Sequence, residues 1–329
     1  MTAPLPKLVV LATGGTIAGE GATAEGKSYR SAALSVAGLL EAVPQASELA
    51  HLTGEQIAQV ASQDLVPAQW LALARRARAH LEAGADGLIV THGTDTLEET
   101  AFFLDLVLNH DAPVVVTGAM RPATGLSADG PRNLLDSVRV ARNPDARGRG
   151  VLVVLDETVH SAWGVTKTNT SHVSTFQSPD YGAAGAIVGG RPVFYRGQRE
   201  RKPRAAVTLE GVHDLPRVDV LYACAGMSAD LVLASLDAGA RGLVLAGVGN
   251  GNAPRPVLDA LAEAAQQGVP VVRSSRSGSG FVARDVEVDD TALGFVASGS
   301  LGPAKSRVLL MTALLSGPEG LQARFFGQR

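Results

Sequence analysis

Threonines, a lysine, an aspartate and paired glycines recur in this chain at places where a strand gives way to a loop. Leu11-Ala12-Thr13-Gly14-Gly15-Thr16-Ile17-Ala18-Gly19 closes the first apolar run, and Thr91-His92-Gly93-Thr94-Asp95-Thr96 closes another. In an open α/β sheet the ligand lies just past the carboxyl ends of the strands. Thr16 and Thr94 therefore offer two hydroxyls at such a place, which points to a hydroxyl-based catalytic site. Gly14-Gly15 allows a tight turn and close backbone approach to a ligand. The spacing matches neither the dinucleotide fingerprint nor a P-loop, so no nucleotide cofactor is expected. Only five of the 29 basic residues are lysines, and one of them, Lys167, sits among threonines in Val165-Thr166-Lys167-Thr168-Asn169-Thr170. A lysine in a closed site beside a hydroxyl and Asp95 can take a proton from that hydroxyl or from water.

Each of these features also has an ordinary structural explanation. Thr96-Leu97-Glu98-Glu99 reads as a capping box, with Thr96 as N-cap and Glu99 reaching back. Asp95 can be a turn aspartate and Lys167 an exposed loop lysine. Ser62-Gln63 can donate to a carboxylate or cap an element. Tyr29 lies in a glycine- and alanine-rich loop, Gly19 to Ser31, which can close over a site. Gly247-Val248-Gly249-Asn250-Gly251-Asn252 ends a strand with glycines and amide donors. Asp285, Glu287 and Asp289 alternate with valines and are expected on one face of a strand, with Asp290 following. No calcium-loop pattern or His-x-x-x-His pair is present, so no metal site is expected. A G-x-S-x-G elbow is also missing, which leaves threonine as the candidate nucleophile.

The elements that must position these residues alternate along the chain. Strands are expected at Lys7–Thr13, Gly87–Thr91, Pro113–Gly118, Gly150–Asp156, Val218–Ala223, Gly242–Gly247 and Val269–Ser274. Most lack polar alternation, as strands buried on both faces of a parallel sheet do. Helical patterns cover Ala68–Ala83, Leu97–Asn109, Gly130–Ala141, Ala229–Ala238 and Ala253–Gln267. The expected fold is α/β: a larger N-terminal doubly wound, mostly parallel sheet domain over 1–189, and a smaller C-terminal α/β domain over 216–329. Between them, 190–215 mixes Arg, Gly and Pro and reads as a linker; its basic cluster, Arg196, Arg199, Arg201 and Lys202, reads as solvated.

Composition narrows the function classes. At 329 residues and 46% hydrophobic, the chain can bury two cores. A formal net charge of -3 without a long basic stretch argues against nucleic acid as a partner. No run approaches the roughly 20 apolar residues of a membrane span. Cys224, the single cysteine, cannot close an intrachain disulfide and is expected as a small buried hydrophobe. A cytoplasmic location is expected.

Taken together, the ordered motifs resemble the bacterial-type L-asparaginase and glutaminase-asparaginase family. Ala12 to Gly19 resembles its first signature and Thr91 to Thr100 its second. Supporting matches are Gly118-Ala119-Met120-Arg121-Pro122, Ser127 to Pro131, Thr166 to Thr170, Gly247 to Asn252 and Gly294 to Gly299. The resemblance implies that Thr16 attacks the side-chain amide of asparagine, giving an acyl-enzyme and ammonia, while Tyr29 helps take its proton. Thr94, Lys167 and Asp95 then form a second hydroxyl-base-acid set. Backbone N–H groups near Thr94 and Ala119 stabilise the oxyanion. Ser62 and Gln63 hold the α-carboxylate, Asp95 holds the α-ammonium, and Gly15 and Gly93 contribute backbone contacts. Asn252 and Glu287 reach a neighbouring subunit's site in a homotetramer built as a dimer of dimers. Comparable action on glutamine stays open, and an amidotransferase subunit or an amino-acid-binding sensor are the further alternatives.

Overall fold

The computed structural model describes residues 4–21, 29–30, 33–195, 207–317 and 319–326. The chain divides into two compact units, Met1–His213 and Asp214–Arg329.

The first unit is built on β1 (Lys7–Gly14), which carries almost pure apolar sequence and is buried from its second residue onward. Two short strands follow, β2 (Glu20–Gly21) and β3 (Tyr29–Arg30), paired antiparallel with Gly21 opposite Tyr29. After α1 (Val36–Glu41) the chain forms β4 (His51–Val60), then α2 (Pro67–Glu82), β5 (Gly87–Thr91), α3 (Leu97–Val107), β6 (Val114–Thr117), α4 (Gly130–Ala141) and β7 (Val151–Leu155). β5, β6 and β7 are buried at every residue, as expected for parallel strands covered on both faces. β4 carries no clear strand signal in the sequence, because polar residues interrupt it. It forms because it is an edge strand, pairing parallel with β1 from Lys7 opposite His51 to Ala12 opposite Gln56.

The sheet then turns antiparallel. β8 (Thr158–Ser161) folds back on β7 through Asp156-Glu157, both at positive φ (49° and 56°). Such two-residue hairpins usually carry Asn-Gly or Asp-Gly, so this one gives no sequence signal. It is held instead by the Asp156 N–H donating to Asn133 Oδ1 at 3.0 Å and by the Arg132–Glu157 ion pair. A separate pair, β9 (Thr166–Lys167) and β10 (Phe176–Gln177), lies outside the main sheet. β11 (Gly185–Val188) and β12 (Arg191–Phe194) form a hairpin through Gly189-Gly190, both at positive φ. The stretch expected as a linker from residue 190 thus begins with a strand. Its basic cluster at 196–202 lies outside the described residues.

The eight-stranded order is β12-β11-β8-β7-β6-β5-β1-β4. The chain leaves β1 toward β4 and returns on the other side to β5, so the order reverses at β1. That reversal opens a crevice at the carboxyl ends of β1 and β5, the usual ligand position in such sheets.

The second unit is a four-stranded parallel sheet in sequential order: β13 (Val218–Tyr222), β14 (Gly242–Gly247), β15 (Val271–Ser275) and β16 (Phe295–Ala297). Its helices are α5 (Asp230–Asp237), α6 (Arg255–Gln266), α7 (Asp290–Leu293), α8 (Pro303–Ala313) and α9 (Leu321–Phe326). The fold-class expectation holds: a large mostly parallel sheet and a smaller α/β unit. α8 escaped the sequence because it is buried almost all round, polar Lys305, Ser306 and Thr312 included, which erases the one-sided pattern of a surface helix. Cys224 is exposed rather than buried. It lies past the end of β13, an edge strand whose Tyr222 is also exposed.

One ion pair in this unit has no access to water. Arg273 and Asp290 are both 0% exposed, with Nη2–Oδ2 at 2.6 Å and Nε–Oδ1 at 2.7 Å. Removing one member of such a pair leaves the other charge buried and unmatched, which costs about 3–5 kcal/mol. Asp290→Asn is expected to lower the urea midpoint accordingly; an unchanged midpoint would show that the pair adds no net stability.

Candidate active site

The two glycine-threonine loops meet past the carboxyl ends of β1 and β5. Gly15 has φ 82° and ψ -171°, a conformation open essentially to glycine alone. A Cβ built there would lie 2.3 Å from both Cα and N of Gly93, and one built at Gly93 would lie 2.7 Å from Ser62 Oγ. Backbone therefore packs directly on backbone. The Thr13 hydroxyl donates to the Thr91 carbonyl at 3.0 Å, and the Gly15 N–H donates to the Val60 carbonyl at 3.1 Å. Thr16 follows at once, 7% exposed, in a single 3-10 turn through Ala18.

The second loop carries the polar set. Lys167 Nζ donates to Thr94 Oγ1 at 2.9 Å and to Asp95 Oδ1 at 2.6 Å. Thr94 is buried, Lys167 keeps 16% side-chain exposure, and Asp95 is 63% exposed. Thr96 does not cap α3 with its side chain; its hydroxyl donates to the Ser62 carbonyl at 2.8 Å. The capping box read from the sequence is thus not made. A tertiary acceptor from the Ser62–Asp64 turn takes the hydroxyl instead, and that bond brings Ser62 to the loop. Gln63, next in the turn, is exposed.

Behind the loop runs a buried relay. Trp70 Nε1 donates to Thr100 Oγ1 at 2.8 Å, Thr100 lies 2.8 Å from His92 Nε2, and His92 Nδ1 lies 2.7 Å from the Gly93 carbonyl. A carbonyl can only accept, so Nδ1 bears the proton, and the Thr100 hydroxyl donates to Nε2. Burial holds the His92 pKa down to about 4, against a smaller opposing effect of the Gly93 carbonyl. The imidazole is therefore neutral near pH 7 and serves to fix the Gly93 peptide.

Ala119 stands two residues past the end of β6, fully buried. The Asp129 carboxylate accepts from the Met120 and Arg121 N–H groups, both at 2.9 Å. Asn133 Nδ2 donates to the Gly118 carbonyl at 3.0 Å. A Cβ at Gly130 would touch both Ile17, at 3.0 Å, and Ala119, at 3.3 Å, so this loop packs beside the Thr16 turn. One cluster in the first unit thus collects Gly15, Thr16, Ser62, Gly93, Thr94, Asp95, Ala119 and Lys167. Tyr29 pairs through its backbone with Gly21 and is not placed in this cluster; residues 22–28, part of the loop expected to close over the site, lie outside the described residues.

In the second unit Asn252 Nδ2 lies 3.5 Å from Glu287 Oε2, an exposed pair at the limit of a hydrogen bond. The expected acidic strand face does not form. Asp285 sits at φ 54° and accepts from the Thr291 backbone N–H and hydroxyl, which with Arg284 hold its carboxyl below the usual range. Asp289 caps α7 through the Ala292 N–H, and Asp290 pairs with Arg273. Local turn and cap bonds for Asp285 and Asp289 outcompete a short alternation.

The family model for the N-terminal domain of asparaginases matches residues 7–200, and that for the glutaminase/asparaginase C-terminal domain matches residues 217–324. The chain belongs to the asparaginase family. Among relatives, a probable periplasmic L-asparaginase of Haemophilus influenzae is 47% identical over 95% of this chain and 89% of its own. L-asparaginase 2 of Escherichia coli is 46% identical over 94% and 89%. The crystal structure of a probable cytoplasmic L-asparaginase from Campylobacter jejuni superposes with a TM-score of 0.93 at 40% identity, covering 98% of this chain and 99% of the other.

Within this asparaginase framework, residue reading missed the supports of the cluster. Trp70 and Asn133 lie in segments read only as helical patterns, and Thr100 and Asp129 entered only within the motif matches. Nothing in their local pattern marks a partner far along the chain.

Two outcomes test this geometry. Nitrogen NMR should find His92 as the neutral Nδ1–H tautomer down to about pH 4. Because its folded pKa lies below the unfolded value of about 6.5, the imidazole adds stability above that value and loses it as pH falls toward 4, by about 3 kcal/mol in all. Replacing His92 with Gln should flatten that part of the stability–pH curve. Separately, Gly15→Ala should cost at least about 3 kcal/mol, because the loops must part; a variant as stable as the parent would show that the contact yields cheaply.

Proposed function

We propose that this protein is a threonine amidohydrolase converting L-asparagine to L-aspartate and ammonia. The observation that carries the reading is Lys167 Nζ set between Thr94 and Asp95, in the crevice that also holds buried Thr16. Thr16 Oγ attacks the side-chain amide carbon, and Tyr29 helps take its proton. Collapse of the tetrahedral intermediate expels ammonia and leaves an ester on Thr16, which water cleaves. Thr94, Lys167 and Asp95 move protons for departure and water attack. Backbone N–H groups near Thr94 and Ala119 stabilise the oxyanion, at about 3 kcal/mol for such a donor. Ser62 and Gln63 hold the α-carboxylate, Asp95 the α-ammonium, and the Gly15 and Gly93 backbone lines the substrate.

Asn252 and Glu287 complete a neighbouring subunit's site in a homotetramer, a dimer of dimers. This assignment gives the exposed pair a role that needs no metal. Among the described residues no helix is long and apolar enough to cross a membrane. A cytoplasmic location is supported by the likeness to the probable cytoplasmic L-asparaginase of Campylobacter jejuni.

A second reading, comparable action on L-glutamine, is favoured by the C-terminal family description, which names both activities. One methylene separates the substrates, a difference worth about 1–3 kcal/mol.

Ammonia release from L-asparagine and L-glutamine, measured in parallel, decides between them: release far greater from asparagine supports the first reading, and comparable release the second. Thr16→Ala should abolish turnover in a folded protein, and near-normal release would remove Thr16 as nucleophile. Lys167→Met should lower kcat by about 10²–10⁴-fold; an unchanged kcat would exclude Lys167 from proton transfer. Light scattering should find a tetramer, and a fully active monomer would refute the shared site.

A further inference from the structure

Lys167 is held at both ends. Its ammonium reaches Thr94 and Asp95, while its backbone N–H donates to Glu98 Oε2 at 2.9 Å. We infer that Glu98 is a positioning residue, fixing the main chain from which Lys167 reaches the two loop residues; the inference rests on the amidohydrolase reading above.

The strand that bears Lys167 needs such a tether. β9 and β10 are two residues each, with Lys167 opposite Phe176 and Thr166 opposite Gln177, and so short a pair is marginal by itself. Buried Thr175 fastens the hairpin internally. Its carbonyl accepts from the Thr168 N–H and hydroxyl at 2.8 and 2.9 Å, and its hydroxyl accepts from the Asn169 N–H at 2.8 Å. Those bonds shape the hairpin without tying it to the loop that carries Thr94. Glu98 does so, from the first turn of α3, where the helix dipole favours a negative charge.

One short stretch, Thr94 to Glu98, therefore grips Lys167 at its amide and at its ammonium. A lysine has four rotatable side-chain bonds. With its root fixed, fewer of its conformations miss Thr94, and small displacements of a proton-transfer group are costly. The role requires an acceptor oxygen at residue 98 rather than a charge.

Steady-state kinetics with L-asparagine on the full-length protein, using Glu98→Ala and Glu98→Gln, tests this. Glu98→Ala should lower kcat by about 10–100-fold, with KM changed by less than about twofold. Glu98→Gln, which keeps an acceptor oxygen, should restore most of the rate. Hydrogen exchange of the peptide spanning residues 163–170 should quicken in the Ala variant and not in the Gln variant. An active parent whose Ala variant keeps its kcat, or a Gln variant that falls as far as Ala, would overturn the positioning role. A parent inert toward both asparagine and glutamine would instead overturn the amidohydrolase reading.

Discussion

The close approach of Gly15 to Gly93 is the constraint on which the site depends. A Cβ at Gly15 would stand 2.3 Å from Gly93 backbone, a distance no side chain tolerates. With the glycines in place, the loops after β1 and β5 share one crevice. Buried Thr16 and buried Thr94 each follow directly on one of the two touching glycines. The strand order makes this contact possible, because reversal at β1 leaves the ends of β1 and β5 adjacent with their following segments leaving in different directions.

Several polar side chains around that contact bond in local chains, and each of these chains fixes a peptide. Trp70, Thr100 and His92 hold the Gly93 carbonyl. Asp129 and Asn133 hold the backbone on either side of Ala119. Glu98 holds the Lys167 amide. In the second unit the same logic uses charge: Arg273 binds Asp290 and also donates to the Asn250 and Ala283 carbonyls. It thereby steadies the two segments that carry Asn252 and Glu287. Such networks must be fully paired, since a buried group left without a partner is expensive.

The chemical reading follows from this division of labour. Thr94, Lys167 and Asp95 make one hydrogen-bonded set whose members differ in exposure: buried threonine, nearly buried lysine, open aspartate. A hydroxyl and an amine at 2.9 Å can exchange a proton directly. The Asp95 carboxylate, open to solvent, holds the ammonium of Lys167 at 2.6 Å.

The amino-acid sequence by itself determined the parallel core strands, most of the helices that cover them, and the two loop motifs. These are local matters: continuous Val, Leu and Ile runs bounded by turn residues favour strands buried on both faces, and glycine pairs after them favour tight turns. It left the edge strand β4, the Asp156-Glu157 hairpin and buried helix α8 unmarked, because each is stabilised by partners distant in the chain. Tertiary structure alone decided that the Thr96 hydroxyl serves Ser62 instead of its helix and that Glu98 turns to Lys167. A side chain with several partners in reach takes the one its packing presents, and that choice is made only when segments 34 and 69 residues apart are brought together.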